Sequence, residues 1–153
     1  MPGARTVATL VAAGWLAGCA SPEKAGPAPA LSQPRLTGTE WRLVAFQSSD
    51  DSIGKISPAP GETYTLHLDP KGGVAMGLSC NRGVGSWKSP DAGEQRGSLL
   101  IGPIASTRAM CPPSRLQRIA ADMEHVRSFV IQDGRLHLNL WLDSGDYIWE
   151  PAP

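Results

Sequence analysis

Four leucines spaced two residues apart constrain this chain more than any other feature. Leu136, Leu138, Leu140 and Leu142 alternate with Arg135, His137, Asn139 and Trp141. That period puts one side of an extended strand against a core and the other toward water. Tyr64, Leu66 and Leu68 alternate with Thr65, His67 and Asp69 in the same way. Shorter strands are predicted at Trp41–Phe46, Val74–Leu78, Val84–Lys88, Leu99–Ile101, Phe129–Gln132 and Tyr147–Trp149. Turn chemistry separates them: Asp69-Pro70-Lys71-Gly72-Gly73, Asp133-Gly134 and Asp143-Ser144-Gly145-Asp146. Asp133-Gly134 between two apolar runs signals a two-residue hairpin, because both positions tolerate positive φ. Ser89–Gly97 reads as a polar loop.

One segment has a different period. Leu116, Ile119, Ala120, Met123 and Val126 form a helical stripe. Ser114 and Gln117 have capping-box spacing ahead of it, and Arg118 and Asp122 lie one turn apart on its wet side. The stripe predicts a helix that covers an open end of a curved sheet. The fold class is therefore mainly β, a small antiparallel barrel or curled sheet of about eight strands with one helix. Closure of such a sheet removes edges that would otherwise aggregate.

The N-terminus carries a different signal. Arg5 is followed by an apolar stretch from Val7 to Leu16, and then by Ala17-Gly18-Cys19. A cation, a short apolar run and small residues form a secretory leader. The run is shorter than the roughly 20 residues a spanning helix needs. The cysteine after two small residues makes residues 1–18 a lipoprotein signal peptide, with Cys19 the lipidated first residue of the mature chain. A thioether diacyl group with an N-acyl chain gives stable attachment where one acyl chain is marginal. Ser21 rather than Asp at the second position after Cys19 points to outer-membrane sorting. The expected location is the periplasm-facing outer membrane of a Gram-negative bacterium. Residues 19–34 are Pro-, Ala- and Gly-rich, with Leu31 the only large aliphatic, and read as a flexible tether. The folded domain is expected over residues 35–151.

The whole chain of 153 residues has 14 basic and 14 acidic groups. Near-zero net charge without basic clusters excludes nucleic acid as the expected partner. A domain this size holds one core, and a monomer is expected. With Cys19 acylated, Cys80 and Cys111 remain as an even pair in an oxidising compartment. A bridge between them would be worth about 3–4 kcal/mol in the chain-entropy account. Two buried free thiols are the competing reading. Two isolated cysteines without a nearby His pair lack metal-site spacing, so neither metal nor cofactor is expected.

Two further stretches stand out. They are Gly77-Leu78-Ser79-Cys80-Asn81-Arg82-Gly83-Val84-Gly85-Ser86-Trp87, and Leu99 to Pro112 with its Thr107-Arg108-Ala109-Met110-Cys111 core. With the opening Leu36-Thr37-Gly38-Thr39-Glu40-Trp41-Arg42-Leu43, they resemble the META domain family, which takes in HslJ-like heat-inducible bacterial lipoproteins. The resemblance covers roughly residues 36–150. It implies a lipocalin-like antiparallel barrel with a helix, on envelope lipoproteins associated with stress responses and antibiotic tolerance. The sequence departs from the family at Gly83 and Val84, where an aromatic commonly follows Cys-Asn.

Physical roles stand beside the resemblance. Asn81 suits a tight turn, since its side chain bonds nearby backbone and tolerates the left-handed region. Gly83 and Gly85 permit close backbone approach or a bulge. Thr107 and Arg108 would tie loop carbonyls together; alternatively, Arg108 presents its planar fork to a carboxylate or phosphate. Trp41, Trp87, Trp141 and Trp149 are expected in the core or at its rim. Alternation sets Trp141 opposite the leucine face. The residues offered to a ligand or partner are Asn81, Arg108, Trp87 and Trp141.

Catalytic constellations are not found in the sequence. His67, His125 and His137 sit apart, without zinc-protease spacing. No Gly-x-Ser-x-Gly elbow is present, Gly77–Gly85 lacks a phosphate-loop ending, and Asp50-Asp51 lies among serines. No catalytic residue is assigned, and the chain is expected not to be an enzyme. The leading expectation is an envelope lipoprotein acting by binding, in stress response or envelope integrity. The alternatives are a carrier of a small apolar ligand at the barrel mouth and an inhibitor of a periplasmic hydrolase.

Overall fold

The computed structural model describes Gly3 and residues 33–153. The rest of the leader, Cys19 and the tether as far as residue 32 lie outside the described residues. Eleven strands follow one another in the domain: β1 (Glu40–Ser48), β2 (Lys55–Ile56), β3 (Tyr64–Leu68), β4 (Gly73–Leu78), β5 (Asn81–Lys88), β6 (Arg96–Ser98), β7 (Leu100–Ile101), β8 (Ala105–Ser106), β9 (Val126–Gln132), β10 (Arg135–Leu140) and β11 (Gly145–Pro151). Among the described residues a single short α-helix, α1 (Ile119–Asp122), precedes β9. The sheet runs β6-β9-β10-β11-β1-β3-β4-β5-β7, with β2 beside β1 and β8 beside β5. Every pairing is antiparallel.

The eight strands read from the sequence are present, with altered ends. The additional ones are β2, β6 and β8, each of two or three residues. β6 occupies the end of the stretch predicted as a loop. There Gly97 packs where a side chain would collide with Asp91, whose Oδ2 accepts from the Ser98 N–H at 2.8 Å.

β6 and β7 close the barrel. They are one stretch of chain, parted only by Leu99, yet β6 pairs with β9 while β7 pairs with β5. Leu99 itself is fully buried, and its N–H donates to the Arg127 carbonyl at 3.0 Å. The two ends of the strand order are thereby joined by a segment that changes partner midway.

The interior is filled by side chains, as a small barrel requires. Trp41, Leu66, Leu68, Phe129, Leu136, Leu138 and Trp149 are each completely buried. Each large apolar group contributes about 1.5–3 kcal/mol on leaving water. The Asp133-Gly134 hairpin forms as its residue types require, with φ of 51° and 75° joining Gln132 to Arg135.

The helical stripe is corrected in length but kept in function. A turn spans residues 115–118, α1 has four residues, a 3-10 turn covers Met123–His125, and β9 begins at Val126. Leu116, Ile119, Met123 and Val126 are nonetheless all buried, closing over the barrel interior. Pairing of β9 with β10 captures Val126 to Gln132 and overrides helix continuation. The capping box is absent as well. Ser114 Oγ accepts from the Leu116 N–H at 3.0 Å and shares a 2.9 Å hydrogen bond with Tyr64 Oη.

Asp122 anchors α1. Its Oδ1 faces Arg118 Nε at 3.7 Å, and its Oδ2 accepts from the Tyr147 hydroxyl at 2.7 Å. Burial, then the bond to Asp122 and its charge, raises the Tyr147 phenol well above its ordinary range. Tyr64 is raised too, chiefly by burial. A raised folded value gives stability that is complete below the unfolded pKa and is lost as pH rises. The urea midpoint is therefore expected to fall as pH climbs past about 10, where an unfolded tyrosine ionises. Tyr147→Phe should flatten that fall, and an unchanged slope would reject the assignment.

Candidate functional site

The candidate site is built on the β4–β5 hairpin. Leu78 pairs with Asn81, leaving Ser79-Cys80 as a two-residue loop. Ser79, with φ of 60°, takes the left-handed position. Asn81 is instead the first residue of β5, and its side chain is free to reach sideways.

What it reaches is a strap, residues 105–111, laid antiparallel along β5. Val84 pairs with Ala105 and Gly83 with Ser106. The Thr107 N–H donates to the Arg82 carbonyl at 2.9 Å, and the Arg82 N–H returns a bond to Thr107 Oγ1 at 3.0 Å. Asn81 Oδ1 accepts from the Ala109 N–H at 2.7 Å and from the Thr107 hydroxyl at 2.8 Å. Its Nδ2 donates to the Ala109 carbonyl at 3.2 Å and to Cys111 Sγ at 2.8 Å. Cys80 and Cys111 then close the end in a disulfide, with Cα atoms 5.9 Å apart.

The spacing of these ties changes along the strap. From Val84 to Arg82 the strap advances one residue for each residue of β5. From Arg82 to Asn81, and again from Asn81 to Cys80, it advances two. Beyond Ser106 the two-residue ladder has ended, and Arg108 and Met110 are the residues of the strap with no bond to this hairpin. The strap is exposed at every residue from Ala105 to Met110, and Met110 completely so. The chain leading into the strap approaches β5 closely at Gly85, where an added Cβ would stand 2.9 Å from the Pro103 carbonyl. A cleft of about 330 Å³ lies under the strap, lined by Tyr64, Leu78, Asn81, Thr107, Cys111 and Ser114 among others.

A model of the META domain matches residues 34–147. The chain belongs to the META domain family. A search of the curated proteins gives no match. Among solved structures, the chain is similar to an NMR structure of a protein from Burkholderia xenovorans, at 21% identity and a TM-score of 0.59. That likeness covers 86% of this chain and 99% of the other, and it speaks for the fold alone.

Within this META domain the residues offered to a ligand or partner part company. Asn81 and Arg108 lie on the strap and its clamp. Thr107 reaches the Arg82 carbonyl through its backbone N–H and Asn81 through its hydroxyl, and Arg108 donates to no carbonyl among the described residues. It takes no part in the ion pairs among the described residues, which are Arg42–Glu150, His67–Glu40, Arg118–Asp122 and His137–Asp146. Trp87 is in the core, only 6% exposed, with Nε1 donating to the Asp69 carbonyl at 2.9 Å. It presents no surface.

Trp141 lies apart from the strap, beside a hollow shared with Arg118, Asp122, His125, Leu140 and Ser144. It is 53% exposed, and the Arg127 guanidinium sits 5.2 Å from its ring centroid. Arg127 is the bulged residue where β9 and β10 lose register. The leucine alternation ends one step early: β10 stops at Leu140, and Leu142, with φ of 56°, points into solvent. Among the described residues, no cluster of three or more His, Cys, Asp or Glu is arranged to hold a metal.

The strap is the feature that sequence reasoning missed. Its signal is the opposed order of two motifs. Cys80-Asn81-Arg82 and Thr107-x-Ala109-x-Cys111 run in opposite directions through the same set of bonds.

Proposed function

We propose that this META domain protein is a lipid-anchored envelope protein, held through Cys19 in the periplasm-facing outer membrane, that acts by binding and not by catalysis. The observation that carries the reading is the strap, an exposed segment fixed in one shape by a disulfide and by the Asn81 side chain, which bonds Thr107, Ala109 and Cys111. Pre-ordering of that kind lowers the entropy cost of engaging a partner. The disulfide also supports an oxidising compartment, in agreement with the leader and the cysteine that follows it. The filled interior supports binding at the surface rather than an apolar ligand carried within. Among the described residues no helix is long and apolar enough to cross a membrane, so the proposed attachment rests on the lipid. A role in stress response or envelope integrity fits a monomeric surface binder tethered in this way.

Fractionation tests the anchoring. The natural chain is expected in the membrane pellet, and Cys19→Ser is expected to move it to the soluble periplasmic fraction. Loss of three acyl chains, at about 0.8 kcal/mol per buried methylene, makes the shift essentially complete. A variant that stays with the membrane would reject the reading.

A further inference from the structure

The geometry points to the strap as a substrate-like inhibitory loop for a serine endopeptidase that cleaves after arginine, with Arg108 as the residue that enters the specificity pocket. This rests on the reading that the domain acts by binding, and it names the partner.

An endopeptidase cleft takes a short exposed segment of chain whose central side chain is free to enter a pocket. Most surface loops that meet this condition are cleaved and lost, because the two ends diffuse apart. The strap satisfies the condition and opposes the loss. Arg108 is exposed, lies just beyond the β5–β8 ladder without a bond of its own to the hairpin, and is flanked by the small Thr107 and Ala109. Its guanidinium matches a pocket floored by a carboxylate, the arrangement that selects arginine or lysine in trypsin-like enzymes. The residues on each side of it are held from behind. Thr107 is bonded to Arg82 and Asn81, and Ala109 to Asn81 through both its N–H and its carbonyl.

The chemistry of cleavage shows what this support does. Attack of the enzyme's serine oxygen on the Arg108 carbonyl carbon forms an acyl ester and breaks the bond to the Ala109 nitrogen. That nitrogen departs as an amine, carrying the proton that left the serine. In this protein the new amine stays where it was. Its nitrogen is bonded to Asn81 Oδ1, its carbonyl to Asn81 Nδ2, and Cys111 two residues later is joined to Cys80. Well-oriented groups of this kind reach effective concentrations of about 10⁵ M or more, far above that of water. The amine re-attacks the ester, the proton returns to the serine, and the peptide bond is restored before hydrolysis. The enzyme is left occupied.

The test uses the full chain in mild detergent, trypsin as the probe enzyme and a chromogenic arginyl anilide as the reporter. Equimolar protein is expected to lower anilide hydrolysis about tenfold or more and to keep it low over hours. Arg108→Ala, a surface change that leaves the fold intact, should weaken inhibition about 100-fold, as loss of a central anchor does. Met110→Ala should leave it within about threefold, which fixes the register. Asn81→Ala, checked for folding by circular dichroism, should turn the strap into a substrate cut between Arg108 and Ala109.

Undiminished trypsin activity at an excess of the chain would overturn the inference. So would rapid nicking of the natural chain at Arg108 with recovery of activity, or inhibition that Arg108→Ala does not change. Membrane attachment is read separately by fractionation. Inhibition by a chain that Cys19→Ser fails to release would overturn the anchoring and leave this inference standing.

Discussion

Removing both cysteines of the bridge, as Cys80→Ala with Cys111→Ala, is expected to destabilise the domain by about 3–4 kcal/mol. The linked residues are 31 apart in sequence, and in the chain-entropy account that loop restricts the unfolded chain by this amount. A second loss follows in the folded state, because Asn81 Nδ2 forfeits its contact with Cys111 Sγ. Urea unfolding should show a lower midpoint together with a steeper slope, since the unbridged chain exposes more surface when it unfolds. A loss below about 1 kcal/mol would mean that the Asn81 hydrogen bonds hold the strap without the bridge.

A loss of about 3 kcal/mol or more is expected for Gly145→Ala, from two causes at one position. Gly145 has φ of 136°, a backbone region closed to other residues at a cost of about 1–3 kcal/mol. An added Cβ there would also collide with the Gln47 carbonyl and with the Phe46 ring, 2.9 Å away. Overpacking of that kind adds about 1–3 kcal/mol. The carbonyl cannot withdraw, because Gln47 is paired across the sheet with Asp146. Gly134→Ala is the control. Its φ of 75° is also left-handed, but nothing lies within 4 Å of the position. The expected cost there is about 1–2 kcal/mol, from conformation alone. Equal losses for the two variants would reject the steric half of the account.

These positions also mark how far the sequence is legible. Strands whose partners and faces are both regular are readable from period alone. Leu66 and Leu68 face inward, Thr65 and His67 do not, and Leu136 to Leu140 behave alike. The reading fails where the governing contact is distant. Leu142 continues the alternation in sequence but not in space, since the chain turns at Trp141–Asp143 to bring β11 back beside β10. Val126 completes a helical stripe in sequence, yet β10 claims it as the start of β9. Arg96-Gly97-Ser98 has no apolar period and becomes a strand because β9 offers an edge.

The candidate site divides in the same way. Cys80, Cys111 and Asn81 are legible as residue types suited to bridging and to bonding nearby backbone. Asn81 bonds backbone 28 residues away instead of its own turn, and no local pattern encodes that reach. That Arg108 and Met110 are left without ties emerges only from setting two segments against each other, which requires knowing that they lie side by side. Trp87 is the opposite case. A surface aromatic and a core aromatic look the same in sequence, and only its bond to the Asp69 carbonyl and its burial decide between them.

The position of β1 in the sheet has a consequence for how the molecule is made. Its longest partner is β11, matched from Trp41 with Pro151 to Ser48 with Gly145. The first strand of the domain therefore cannot be completed until the last residues have been delivered. Pairing over so long a separation is slow to form, and the half-made chain has only hairpins such as β3–β4–β5 with which to collapse. A protein threaded unfolded across a membrane, as the proposed attachment requires, gains from this delay. Under that proposal the barrel would stay open during passage and lock once the C-terminus has crossed.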